Sequence, residues 1–374
     1  MKAKDWRPTE LVLTWRDISL PSREEAWRQL RGLRMTLPGA TATNAARAAT
    51  FQAALEQAQQ LMTAAEGAGY ATRPLQLFYA LSQGGRAIAA ASVRLPTTVS
   101  IPDRENPGQF KAETIAWMLR GHGITAPATS QNRIAKVTVK ADWTGLMPGV
   151  AAAIGVQGLV PGEKVNLGDL WPLIPESNAV PLNGSPKFPA LSFGGGKEPL
   201  EGSGSTYQVP IGFVPDSVRQ DIGDDQKKLS LFLDRYPSLR GYIFPAADGN
   251  PLGWQPDDSG KACSLPVYWP HPQQGDPEWG KAARELKSFR YRGSVDWWAF
   301  PSVGSMAESL HPLLVWWAVL FALSMMARYE PNNWAKMIQI DVSGEANAIE
   351  HILDQALDIV PTLLLEAIHL AIAP

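Results

Sequence analysis

The chain has 374 residues, 45% of them apolar and 19% charged, with 34 basic against 36 acidic side chains and a formal charge of −2. It is too apolar for wholesale disorder, and it is long enough for two cores or one large core with an insertion. It is also too neutral for a whole-molecule field that would draw it to nucleic acid or an acidic membrane. Cys263 stands alone, which excludes an intramolecular disulfide framework and a cysteine-rich zinc site and fits a reducing, cytoplasmic setting.

The opening MKAKDWRPTE carries charges without a following apolar segment, so no secretory signal is expected. Ser22 and Glu25 have capping-box spacing, and Trp27, Leu30 and Leu33 recur at helical intervals, predicting a short helix over 22–33. From Thr43 an alanine-rich helix carries Phe51, Leu55, Ala58 and Met62 on one stripe and stops near Gly67 and Gly69. A third helix begins near Pro74 and sets Leu77, Leu81, Gly84, Ile88 and Ala91 along a seam. Gly84 and Gly85 open that seam to another helix, at a propensity cost of about 1 kcal/mol each.

The middle of the chain differs in kind. A proline-containing loop separates Leu95 from Gln109, and RIAKVTVKADW (133–143) alternates like a strand with one wet face. Residues 179–206 are rich in Gly, Pro and Ser without periodicity, which predicts a flexible surface loop and the best place for a break. Beyond it TYQVPIGFVP, GYIFPAA, SLPVYWP and SVDWWAFP are short β-favouring runs, and DDQKKLSLFLDRY is a helix.

Helices return at Ser309. No Lys, Arg, Asp or Glu occurs from there to Ala327, a length close to a membrane span of about 20 residues. His311, Pro312 and Ser324 interrupt it, which favours a buried core helix and no membrane association. Leu313, Trp316, Leu320, Leu323 and Ala327 share its stripe, and Pro331 starts a short helix through Trp334 and Met337. A final helix over 345–372 aligns Ile349, Ile352, Leu353, Ala356 and Val360, with Pro361 introducing a kink or a new start. The expected fold is mainly α (α+β). Residues 1–130 and 306–374 form one helical core, and 131–305 form a mixed β and loop insertion.

Two segments, RPLQLFYALSQGGRAIAAA (73–91) and HPLLVWWAVLFALSMMARYEPNNW (311–334), resemble the two helical signatures of the YaaC-like bacterial proteins. RGHGI (120–124) is similar to a short His-Gly element between them. The second signature is the more specific, because Ser324, Arg328, Tyr329 and Trp334 match at fixed spacing. The resemblance implies a largely helical protein of the bacterial cytoplasm, from a family without a settled activity. Some of its members look like parts of gene clusters for defence against phage.

Arg328 follows Ser324 by one helical turn and complements the dipole at a helix C-terminus. A buried guanidinium there needs an acid, for which Glu330, Glu350, Asp354 and Glu366 are candidates. On the structural reading, Arg328 and Tyr329 lock the turn and Trp334 covers it. On the functional reading the site resembles HEPN-type ribonucleases, in which arginine stabilises phosphate charge and histidine moves protons without a metal. Trp334 stands where that histidine is needed, so His122, His351 or His369 would have to substitute. RGHG places His122 either on a turn that contacts a ligand or at a helix C-terminus with glycine at C′.

SFGGGKEP (192–198) lacks phosphate-loop spacing and reads as a loop. KSFRYRGSVDWW (287–298) interleaves Lys287, Arg290 and Arg292 with Phe289, Tyr291, Trp297 and Trp298, either as a single-stranded nucleic-acid surface or as an edge strand with a basic outer face. No cofactor or metal motif is present. These features, with 14 tryptophans to serve as interface anchors, point first to a non-catalytic interaction or adaptor subunit with protein partners. The alternatives are a metal-independent ribonuclease toxin and a nucleic-acid-binding module through 287–298.

Overall fold

The structure is a computed structural model that describes residues 22–102, 110–182, 187–193, 206–239, 252–256, 262–270, 289–290 and 297–373. They are mainly α with some β. Contacts divide them into two compact units, a helical one spanning Pro21–Trp171 and His311–Pro374 and a second one within Pro172–Leu310.

The helical unit opens with α1 (Arg23–Met35), whose Ser22 hydroxyl accepts the Glu25 amide at 3.3 Å. In α2 (Ala45–Gly67) the Asn44 side chain accepts two amides at 3.1 Å. α3 (Arg73–Ala91) follows, then β1 (Thr98–Pro102), β2 (Phe110–Ile115), β3 (Ile124–Ala128), β4 (Thr138–Ala141), α4 (Leu146–Ile154), β5 (Lys164–Asn166) and α5 (Leu167–Leu170). β1 pairs with β2, and β3, β4 and β5 form a three-stranded antiparallel sheet. The chain returns to this unit with α8 (Pro312–Tyr329), α9 (Pro331–Met337) and α10 (Ala346–Ile372).

α3 is the centre of this unit, packing against α2, α4, α8 and α10. The glycine seam explains how. A Cβ on Gly84 would come within 2.6 Å of Leu364 Cδ1 on α10, and one on Gly85 within 2.8 Å of Trp317 Cζ3 on α8. Both neighbours occupy the volume a side chain would need, so the close approach expected from sequence is realised twice.

The C-terminal end of α3 is held by a buried cation. Arg47 donates to the carbonyls of Ala89, Ala90, Ser92, Leu95 and Pro96 at 2.6–3.5 Å and lies 5.2 Å from the Trp117 ring centroid. Helix-end carbonyls carry partial negative charge, so they stand in for a carboxylate.

α8 is buried from Pro312 to Ser324. By length and composition α8 and α10 are each apolar enough to cross a membrane, and most of both is buried inside the structure. α10 runs unbroken through Pro361, so no new helix starts there. The missing amide forfeits one backbone bond, and burial of Ile359, Val360, Leu363 and Leu364 around it keeps the helix in place.

His311 caps α8 through Nδ1, which accepts the Leu313 amide at 3.2 Å, and burial pulls its pKa from 6.5 down to about 3. Between those values the unfolded chain binds the proton and the folded chain does not, so this stability is fully present above pH 6.5 and lost as pH falls. The expected slope from this group is about 1.4 kcal/mol per pH unit. His311→Asn, which caps without titrating, should flatten that part of the dependence in urea midpoints taken from pH 7 to pH 4. An unchanged slope would remove His311 as its source.

The second unit contains β6 (Leu191–Phe193), β7 (Thr206–Pro215), α6 (Asp216–Ile222), α7 (Gln226–Leu233), β8 (Gln255–Pro256), β9 (Ala262–Pro270), β10 (Phe289–Arg290) and β11 (Trp297–Ala299). The six strands form an antiparallel sheet in the order β10-β11-β6-β7-β9-β8. Its core joins Leu191, Ile211, Val214, Cys263 and Leu265 to Val218, Ile222 and Phe232 of the two helices. The 179–206 segment is thus not wholly a loop, because β6 pairs with both β7 and β11. GYIFPAA lies outside the described residues. The sequence expectation began the insertion at 131, whereas the second unit starts at Pro172: β3, β4 and β5 belong with the helices, β3 and β4 packing on α8.

Candidate functional site

His122 lies in the connection between β2 and β3 and not at a helix end, so the C-cap reading of RGHG does not hold. Glycines on both sides of it take positive φ, 70° at Gly121 and 72° at Gly123. Gly123 also packs against Gly145, where an added Cβ would meet Gly123 Cα at 2.5 Å. Three backbone bonds secure the turn: the Asp142 amide donates to Gly123, Leu146 to Gly121 and Met147 to His122, at 3.0–3.1 Å. The histidine is therefore held by a rigid turn.

Its ring is half-buried among aromatic rings. Phe78 lies 5.2 Å away, Phe321 at 5.9 Å and Tyr79 at 6.4 Å between centroids. α3 supplies Phe78 and Tyr79, and α8 supplies Phe321. Two turns beyond Tyr79, Arg86 donates to the Leu119 carbonyl at 3.1 Å, just before the histidine turn. From the last turn of α8, Arg328 donates through Nη1 to the Tyr79 hydroxyl at 3.1 Å and lies 5.0 Å from the Tyr329 ring centroid. Burial first, then the Arg86 and Arg328 charges, hold the His122 pKa below its ordinary value, so the imidazole is neutral at pH 7.

Arg328 is exposed and not buried, and among the described residues no carboxylate pairs with it or with Arg86. Of the four acids expected to serve Arg328, Glu330 accepts from the Ser130 hydroxyl and Asp354 accepts from Arg73 and Tyr70. Glu350 and Glu366 sit on α10 and make no ion pair with it.

The four-residue signature divides by role. Ser324 is buried and donates to the Phe321 carbonyl at 2.7 Å, while Trp334 is buried and donates to the Ala71 carbonyl at 3.1 Å. These two hold the helix and the turn after it. Asn333 supports that turn from the other side, donating to the Gln131 carbonyl at 2.6 Å. Arg328 and Tyr329 reach the surface, Tyr329 being 61% exposed.

His122 is thus brought beside Arg328, while His351 and His369 lie on α10. Sequence reasoning missed Arg86 and Tyr79. The available signal for Arg86 was that it is the lone charge between Pro74 and Ala91. Arg290 lies in β10, at one edge of the six-stranded sheet, and Trp297 lies in β11, both described by backbone. Trp298 is buried and stacks on Phe213 at 5.6 Å. Arg292 and the GGGK loop lie outside the described residues. Among the described residues no group of three or more His, Cys, Asp or Glu could hold a metal ion.

Two guanidiniums that pair with no carboxylate among the described residues, a neutral imidazole and a phenol hydroxyl form a donor-rich, positively charged set. Arginine forks match the oxygens of phosphate or carboxylate. A family model described as YaaC-like protein matches residues 25–368 of the chain. No curated protein and no solved structure matches it.

Proposed function

The chain belongs to the YaaC-like protein family, and from that premise we propose that it is a cytoplasmic interaction subunit that recognises a phosphate-bearing ligand at Arg86, His122 and Arg328. The observation that carries this reading is the pair of arginines, on separate helices, whose charges both act on His122 and with which no carboxylate pairs among the described residues. Two like charges held near one site repel, and a bound anion relieves that repulsion. The adaptor role, in an assembly of the kind associated with phage defence, rests on the family resemblance.

Inorganic pyrophosphate is the simplest probe. Arg86→Ala and Arg328→Ala should each weaken its binding about tenfold, the lower end for a charged hydrogen bond because both side chains are exposed to solvent screening. Isothermal titration at low salt reads this directly. Binding that is unchanged in both variants rules the site out.

A second reading is favoured by His122 being neutral beside Arg328: metal-independent RNA cleavage. There His122 takes the proton of a ribose 2′-hydroxyl as its oxygen attacks the adjacent phosphorus. The bond to the 5′-oxygen breaks, that oxygen takes a proton from solvent, and the arginines stabilise the phosphorane charge. Total RNA incubated with wild type, Arg328→Ala and His122→Ala tests it. Intact RNA with wild type, or cleavage that survives both substitutions, removes this reading.

A further inference from the structure

Trp143 is 81% exposed, whereas Trp27, Trp117, Trp171, Trp316, Trp317 and Trp334 are all buried. Its position is tied to the candidate site. β3 and β4 pair Ile124 with Ala141, and the Asp142 amide donates to the Gly123 carbonyl at 3.0 Å. Trp143 is the next residue, so its backbone adjoins the turn that carries His122. On its far side the Leu146 and Met147 amides close onto Gly121 and His122 at 3.1 and 3.0 Å. The segment bearing Trp143 is therefore clamped to the histidine turn at both ends, and the exposed Arg120 sits on that same turn.

An exposed indole on a segment bonded at both ends to the His122 turn can add a stacking surface to a phosphate site. From this placement we infer that the ligand is single-stranded nucleic acid, with a phosphate held by Arg86 and Arg328 and a neighbouring base stacked on Trp143. The inference rests on the phosphate-binding reading above and adds to it the chemical class of the ligand. Every base offers a flat π-face, so such a site tolerates sequence and selects against paired strands, whose bases are already stacked. The whole-chain charge of −2 supplies no general attraction, so affinity depends on this local set.

The test uses the full chain and two probes, inorganic pyrophosphate and a fluorescein-labelled oligouridylate of about ten nucleotides. Trp143→Ala should weaken oligouridylate binding about tenfold and leave pyrophosphate binding unchanged, while Trp143→Phe retains most of the affinity. Arg328→Ala should weaken both. Wild type that binds pyrophosphate but not oligouridylate, or a Trp143→Ala variant that binds the oligonucleotide as wild type does, overturns this inference and leaves the phosphate site standing. Pyrophosphate binding indifferent to the arginine substitutions overturns the phosphate site itself.

Discussion

Replacing Arg47 with methionine should lower the stability of the helical unit by about 3–5 kcal/mol, the range for removing one partner of a buried charged network. The guanidinium is buried and donates to five carbonyls around the end of α3. Methionine fills similar volume and leaves those acceptors without a donor, each costing about 1–3 kcal/mol if no water reaches it. Arg47→Lys should fall between the two, because a point charge with three donors cannot fan across five acceptors. Urea denaturation followed by far-UV circular dichroism reads the difference. A loss below about 1 kcal/mol would mean that the end of α3 finds other donors.

Gly85→Val should cost about 3 kcal/mol, the upper part of the usual range for overpacking a full core. The first added carbon would already sit 2.8 Å from Trp317 Cζ3 and 3.1 Å from Val150 Cγ2, and both neighbours are buried. A gain in helix propensity of a few tenths of a kcal/mol over glycine opposes this and is too small to decide the sign. Gly32→Ala is the matched control. Nothing lies within 4 Å of a Cβ at that position of α1, so the substitution should stabilise by up to about 1 kcal/mol. Equal effects at the two glycines would show that propensity outweighs packing here.

The two arginine sites differ in what surrounds them. Arg47 is enclosed by carbonyls and directs both Nη1 and Nη2 to the backbone around the end of α3. Arg328 uses Nη1 on Tyr79 and otherwise faces solvent at a helix end. Substituting Arg328 should therefore alter ligand binding with little loss of stability, and Arg47 the reverse.

Much of the helical unit was legible in the sequence. Periodic apolar positions marked α1, α2, α3, α8 and α10 to within a few residues, because one buried face leaves a repeat of about 3.6 residues. Adjacent glycines at 84 and 85 announced close approach before any partner was known. The site was legible only in fragments. Arg328 stood out by its helix-end position and His122 by its flanking glycines, yet each had a plausible structural account on its own. Burial of Ser324 and Trp334 was not separable from exposure of Arg328 and Tyr329 until the turn after α8 was placed against Ala71.

By itself the sequence determined, to within a few residues, the extent of the long helices at the two ends of the chain, which stripe of each is apolar, and the family to which the chain belongs. Those are local properties, set by capping, propensity and spacing along one stretch of backbone. Only the tertiary structure decided that Tyr79 meets Arg328 across 249 residues, and that His122 comes beside both of them. Periodicity says which face is buried without saying against what. The histidine is positioned by the contact of Gly123 with Gly145 and by α3 and α8 converging on the turn, and these are facts of packing between distant segments.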